Sequence, residues 1–169
     1  GATVRIGRAV GAKDDAMARE SVGNTAALFM GISVAATCLL LLGVNGILAL
    51  LSTPDEAVGG TRAYLTVCFI GIPCITAYNI ISSIFRGMGD SKSPMVFVAI
   101  ACAANIALDV FFMGTLKLGP VGAALGTTLS QALSVAAALW AIIKRKMIPE
   151  LSLADFKPKR RTMAALLKV

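Results

Sequence analysis

SPMVFVAIACAANIALDVFFMGTL, residues 93–116, carries one ionisable side chain, Asp109, and is otherwise apolar or small. An α-helix rises about 1.5 Å per residue, so about 20 apolar residues cross a hydrocarbon layer of about 30 Å. Residues 93–116 are long enough to do so. Three further stretches, 21–54, 63–85 and 118–143, carry no charge at all. All four are continuous apolar runs, without the alternation of about ten residues per strand that a membrane β-barrel needs. The reading is therefore an all-α integral membrane protein with four transmembrane helices. Composition agrees. Of 169 residues 57% are hydrophobic and only 15% charged, against about 45–50% and about 25% in a soluble domain, and mean hydropathy is +0.80.

The flanks divide the chain. Residues 1–20 read as the end of a preceding helix and a loop, which makes the sequence part of a longer protein. The opening is basic and small, with no apolar core of a secretory signal. Residues 21–146 form the four-helix membrane part. Residues 147–169 contain Pro149 and Pro158, mix charges and close on the apolar run 163–167, as expected of a linker toward a further helix. Cys38, Cys68, Cys74 and Cys102 all fall inside apolar runs, where they act as small hydrophobes and not as a disulfide framework. With no His and no Cys-x-x-Cys, a structural zinc site is not expected.

Basic residues set the orientation. Fourteen of the sixteen Lys and Arg fall before the first span, between the second and third, or after the fourth; only Arg62 and Lys117 fall on the other side. By the positive-inside rule both ends of the chain are cytoplasmic, in a multi-pass protein of the cell membrane. The net charge of +7 is thereby explained by topology. No aromatic residues interleave with the basic ones, so nucleic-acid binding is excluded. The basic cluster 157–161 reads either as a surface for membrane lipid or as an ordinary cytoplasmic loop.

Asp109 is the one ionisable group well inside a span, where a charged carboxylate costs roughly 2.5–3.5 kcal/mol. Asn105 lies four residues earlier on the same helical face. Thr127, in the antiparallel fourth span, lies about 13 Å below the outer end, against about 10 Å for Asp109. A carboxylate, an amide oxygen and a hydroxyl are hard oxygen ligands, suited to a cation such as Na+ or to a proton on the carboxylate. A buried Asp bonded for packing alone is the competing account, although Asn would serve packing at lower cost. Tyr78, Asn79, Ser82 and Ser83 line a path along the second span or simply bond their own helix. Tyr64, Phe85 and Trp140 sit near span ends, the ordinary place for an aromatic anchor. Pro73, two residues after Gly71, should kink the second span. Gly122 and Gly126 form a Gly-x-x-x-Gly, a sign of close helix packing.

Between the second and third spans runs Arg86-Gly-Met-Gly-Asp-Ser-Lys-Ser-Pro-Met95. Gly-Met-Gly-Asp resembles the Gly-x-Gly-Asp of intramembrane aspartyl proteases, whose chemistry needs two carboxylates sharing a proton in the membrane. Asp90 fits a tight turn better, flanked by Arg86 and Lys92 and followed by Pro94 in the first turn of the next helix.

That segment, followed by Asn105-Ile-Ala-Leu-Asp109 and Gly119-Pro-Val-Gly-Ala-Ala-Leu-Gly-Thr-Thr128, closely resembles the multidrug and toxic compound extrusion (MATE) transporters. Thr53-Pro-Asp-Glu and Ala63-Tyr-Leu also match the family's outer loop and fourth helix. The resemblance runs from residue 1 to about 146. It implies a twelve-helix fold of two bundles, with the four spans as helices three to six. It also implies an antiporter that exports amphipathic organic compounds in exchange for H+ or Na+, with no other cofactor and no catalytic residue. Asn105, Asp109 and Thr127 match the family's cation site; Tyr64 and Ser82 fall, by spacing only, at further polar positions of the cation or substrate pathway. The expected partners are a small-molecule substrate, membrane lipid and the remaining helices of the transporter. A lipid-linked oligosaccharide flippase of the same superfamily is the alternative, and should show a basic headgroup cavity that these spans lack.

Overall fold

In the computed structural model, which describes residues 2–145 and 157–168, α1 (Ala2–Gly11) turns through Lys13 at φ 54° into the first long helix. Asp14 starts that helix by accepting a hydrogen bond from the Met17 N–H at 2.9 Å, which satisfies an amide the first turn leaves without a partner. Helix α2 (Asp15–Leu42) thus begins at Asp15 and not at 21, charge marking where the helix enters the membrane and not where it starts. Nor is the first span a single helix. Gly43 ends α2 by donating to the Leu39 carbonyl at 2.9 Å, and α3 (Val44–Leu50) follows.

Helix α4 (Asp55–Gly87) starts behind Pro54 with Asp55 and Glu56 in its first turn, where carboxylates complement the helix dipole. Its early start puts Tyr64 more than two turns inside the helix, not at its end. Pro73 does not break it: one helix runs through. At the far end Gly89, at φ +87°, lets its own N–H reach the Arg86 carbonyl and that of Asp90 reach the Phe85 carbonyl. This pair of bonds closes a helix in the Schellman manner. The Asp90 carboxylate then accepts from the N–H groups of Lys92 and Ser93 and starts α5 (Lys92–Asp109). A six-residue π-helix (Val110–Thr115) continues α5, a turn through Lys117 and Gly119 at positive φ leads to α6 (Pro120–Arg145), and α7 is Arg160–Leu167. Among the described residues there is no strand, and four helical stretches, α2, α4, α5 with its π extension, and α6, are long and apolar enough to cross a membrane.

Packing inverts the soluble pattern. Leu42, Leu50 and Ile143 are more than 70% exposed while Ser21, Asn24, Thr25 and Ser134 are under 2%, as expected where lipid is the solvent and polar groups turn toward neighbouring helices. Helix α4 packs between α2 and α6, and α6 between α4 and α5. The tight core gathers at one end of the molecule. There Phe85 and Phe97 meet edge to face at 5.5 Å, with Ile81, Ala138 and Ala141 around them. Phe85, expected as an interface anchor, is fully buried instead. Trp140 remains exposed, with Lys144 4.5 Å over its ring.

The basic segments meet at that same end. Ile6 of α1 fills the space that Gly87 leaves at the end of α4, where a Cβ would come within 2.8 Å of it. Arg145 pairs with Asp90 at 3.2 Å. Helix α7 folds back on α2: the Lys159 N–H donates to Asn24 Oδ1 at 2.7 Å, Lys159 Nζ pairs with Glu20 at 2.9 Å, and the Thr162 hydroxyl donates to Glu20. The expected linker is thus partly a docked helix; its residues 147–156 lie outside the described residues.

Candidate cation site

Asp109 closes α5 where the π-helix begins. Across from it, Gly126 of α6 has no side chain, and a Cβ built there would lie 2.2 Å from Asp109 Oδ1 and 3.4 Å from the Asp109 backbone nitrogen. The carboxylate therefore occupies the notch that this glycine leaves. One turn up, a Cβ on Gly122 would meet Phe112 Cβ at 3.1 Å and Met113 Cγ at 3.3 Å. So the Gly-x-x-x-Gly motif seats α6 against the end of α5 and its π-helix, and the packing motif and the Asp109 carboxylate belong to one contact.

Asn105 sits between Asp109 and Thr127. Its Nδ2 donates to Asp109 Oδ1 at 3.4 Å and to Thr127 Oγ1 at 3.3 Å, both longer than the 2.7–3.2 Å of a close N–H···O bond. The three side chains expected at similar depth do converge, loosely enough for each to turn toward a third party. Asp109 and Asn105 are half-buried and Thr127 is exposed, so the trio opens to one side.

A cavity of about 140 Å³ lies between α4 and α6, lined by Tyr64, Cys68, Gly71, Thr127, Thr128 and Gln131 among others. Tyr64 thus shares a cavity with Thr127. Gly71 is pressed by Thr128, whose Oγ1 would lie 2.9 Å from a Cβ there. Ser82 is not brought to the trio: it is buried, eleven residues below Gly71 on α4, about 16 Å along the axis, among the core residues of the basic end. Asn79 and Ser83 donate to the carbonyls of Ile75 and Asn79 on their own helix. They also line a cavity of about 350 Å³ among α1, α2, α4 and α7, with Thr25, Phe29 and Thr76. Asp90, the candidate for protease chemistry, is engaged at the basic end by Ser93 and Arg145, far from Asp109. Its carboxyl is held below the usual carboxylate range, chiefly by the Ser93 hydroxyl and backbone N–H. All four cysteines are free, Cys38 and Cys102 exposed and Cys68 and Cys74 half-buried.

The role of Gly126 escaped the sequence reading because its neighbour across the interface is set by the tertiary packing; only the motif's coincidence in depth with Asp109 hinted at it. Gln131, one turn from Thr127, carried no signal beyond its being an amide in an apolar run.

Residues 1–111 match the family model described as MatE. The chain is 35% identical over 138 residues to the "Probable multidrug resistance protein YpnP" of Bacillus subtilis (strain 168), covering 81% of this chain and 31% of that protein. It is 30% identical over 169 residues to the "Multidrug export protein MepA" of Staphylococcus saprophyticus, covering 97% and 36%. It thus spans about a third of the length of these curated relatives. Two solved structures described as a multidrug resistance MATE family transporter of the MOP superfamily also match. The inward-facing one has a TM-score of 0.89 and the outward-facing one 0.88, each 29% identical, over 99% of this chain and 38% of theirs.

Proposed function

The chain belongs to the MatE family, whose members are membrane transporters and not enzymes, and from that premise we propose that it forms most of one bundle of a secondary antiporter that exports amphipathic organic compounds in exchange for H+ or Na+. The observation that carries this reading is the bridge of Asn105 between Asp109 and Thr127. A half-turn of the Asn105 amide about its last torsion presents Oδ1 in place of Nδ2, and the trio then offers a carboxylate, an amide oxygen and a hydroxyl to one cation. A proton on Asp109 satisfies the same geometry as a donor.

Coupling follows from differential binding. A cation entering from the outer side neutralises Asp109, which removes the cost of a charge at that depth and favours the state in which the bundle opens inward. The 350 Å³ cavity among α1, α2, α4 and α7 offers hydroxyls, one amide and the Phe29 ring, with no Lys or Arg among the described residues that line it. Such a surface suits a flat, apolar or cationic organic molecule. It does not suit the phosphate headgroup of a lipid-linked oligosaccharide. Orientation follows the basic residues: the end that joins α1, the α4–α5 turn and α7 faces the cytoplasm.

The test is transport by the whole transporter in proteoliposomes loaded with ethidium. An imposed inward gradient of Na+ or of H+ should accelerate ethidium efflux. Efflux indifferent to both gradients would refute the antiport reading.

A further inference from the structure

Thr127 and Gln131 stand one turn apart on α6, and both line a second cavity, of about 130 Å³, between α5 and α6 beneath the trio. Asn105, Ser130, Ser134 and Tyr78 contribute its other oxygen lining, and no Asp, Glu, Lys or Arg does among the described residues. Three of its four hydroxyls have one feature in common, and the fourth, Thr127, accepts from Asn105 Nδ2. Ser130 donates to the Thr127 carbonyl at 2.8 Å, Ser134 to the Phe97 carbonyl at 3.1 Å, and Tyr78 to the Pro94 carbonyl at 2.8 Å. A hydroxyl has one proton and two lone pairs, so each of these groups has only acceptor capacity left. The amides of Asn105 and Gln131 add an oxygen each. The cavity is therefore lined largely by neutral oxygens, and three of its hydroxyls, those of Tyr78, Ser130 and Ser134, have their protons spent on backbone carbonyls. What complements such a lining is a species that brings positive charge or donors alone, and the space is ample for several waters.

Its position is as telling as its chemistry. Gln131 and Ser134 lie about 6 and 10 Å beyond Thr127 along α6, toward the basic end. The bond from Tyr78 to Pro94 places the far end of the cavity at the first turn of α5, which begins at Lys92. The cavity thus leads from the trio to the basic end between α4, α5 and α6. It shares no lining residue with the 350 Å³ cavity on the other side of α4. Resting on the assignment of Asp109 as the principal cation site, we infer that this cavity is a second, inward cation station, in which the ion leaving Asp109 is held by the neutral oxygens of Gln131, Ser130, Ser134 and Tyr78, apart from the route of the organic substrate. The occupant is either Na+ itself or a proton carried on water, the two sharing the same demand for acceptors.

Cys102 lines this cavity and is exposed, which provides a native probe. In the whole transporter with Cys102 as sole cysteine, in inside-out vesicles, its reaction rates with aminoethyl and sulfonatoethyl methanethiosulfonate are measured, each relative to a free thiol. The cationic reagent should be favoured by about tenfold or more, a bias a few oxygen dipoles supply at short range. Gln131→Leu with Ser134→Ala should cut the preference to below about threefold, and Gln131→Asn, which restores an amide, should largely keep it. Protection by Na+ but not by choline identifies Na+ as the occupant; a pH-dependent rate without Na+ protection identifies proton-bearing water; neither effect overturns the station. Equal rates for the two reagents overturn it as well. So does a preference abolished by Asp109→Asn alone, since the field would then belong to the carboxylate. Failure of the underlying assignment shows differently: Asp109→Asn would leave ion-driven export intact, whatever the labelling bias at Cys102.

Discussion

An alanine at Gly126 would place its Cβ 2.2 Å from Asp109 Oδ1, whereas one at Gly122 would meet side-chain carbons at 3.1 Å or more. The second contact asks Phe112, Met113 and Leu118 to give by a few tenths of an ångström; the first must expel the carboxylate from its notch, because the Asp109 backbone is itself only 3.4 Å away. Overpacking at such sites costs about 1–3 kcal/mol. Gly126→Ala should therefore weaken the Na+ or proton dependence of transport several-fold with the protein still in the membrane, and Gly122→Ala should leave that dependence near wild type. Equal effects would deny the notch a role in placing the carboxylate. At this scale Asp109, Asn105 and Thr127 were legible because an intramembrane carboxylate is costly and helical rise gives depth from counting. The place of Ser82, buried away from the trio, was not legible, since a match by spacing carries no information on which side of the helix packs where.

The turn between α4 and α5 and the docked helix α7 belong to the scale of elements. Asp90 accepts from the Ser93 hydroxyl and from the N–H groups of Lys92 and Ser93, with Arg145 beside it, which keeps its carboxyl below the usual range. A carboxylate depressed in the folded state stabilises fully above its unfolded value of about 3.9, and that contribution disappears as pH falls through the lower folded value. Ser93→Ala should lower thermal stability in detergent modestly, by less than about 1 kcal/mol for so exposed a cluster. The deficit should be constant above about pH 5 and fade in acid, as both proteins protonate Asp90. A deficit that persists unchanged below the folded value would assign the loss to packing. For α7, Asn24 is fully buried and takes the Lys159 N–H, so Asn24→Ala leaves that amide without its partner at a cost of about 1–3 kcal/mol. Hydrogen exchange at 159–167 should accelerate by tenfold or more, a cost of about 1.4 kcal/mol; unchanged protection would mean that α7 is held by Leu166, Thr162 and the Lys159–Glu20 pair without Asn24. The sequence pattern revealed the turn, through Gly89, Asp90 and Pro94, since these residues act locally. It did not reveal the docking of α7, because that is decided by partners distant in the chain, Glu20 and Asn24, nor the π-helix, whose residues Phe112 and Met113 pack at Gly122.

At the scale of the molecule, the chain superposes as well on an inward-facing as on an outward-facing transporter, with TM-scores of 0.89 and 0.88. Similar fits to both states are what a unit moving as a body would give, and under the proposed antiport the trio of Asp109, Asn105 and Thr127 would keep its geometry while its access changed. The four spans were legible from hydropathy alone, and the gathering of the basic segments at one end agrees with contacts of Ile6 with Gly87, Arg145 with Asp90 and Lys159 with Glu20. Helix order in space was not legible, because four apolar helices of similar composition do not specify neighbours without the notches at Gly71, Gly87 and Gly126. Orientation has its own check: in intact cells a cysteine at Lys92 should be shielded from an impermeant thiol reagent and one at Pro54 should react, and labelling at Lys92 from outside would invert the arrangement. The central claim is that Asp109 is where the driving ion binds. The direct measurement is gradient-driven ethidium export by the whole transporter carrying Asp109→Asn, which keeps size and hydrogen bonding but removes the titrating charge. The account predicts a protein that reaches the membrane yet shows no acceleration by either ion gradient; export at the wild-type rate, with unchanged dependence on pH and Na+, would contradict it.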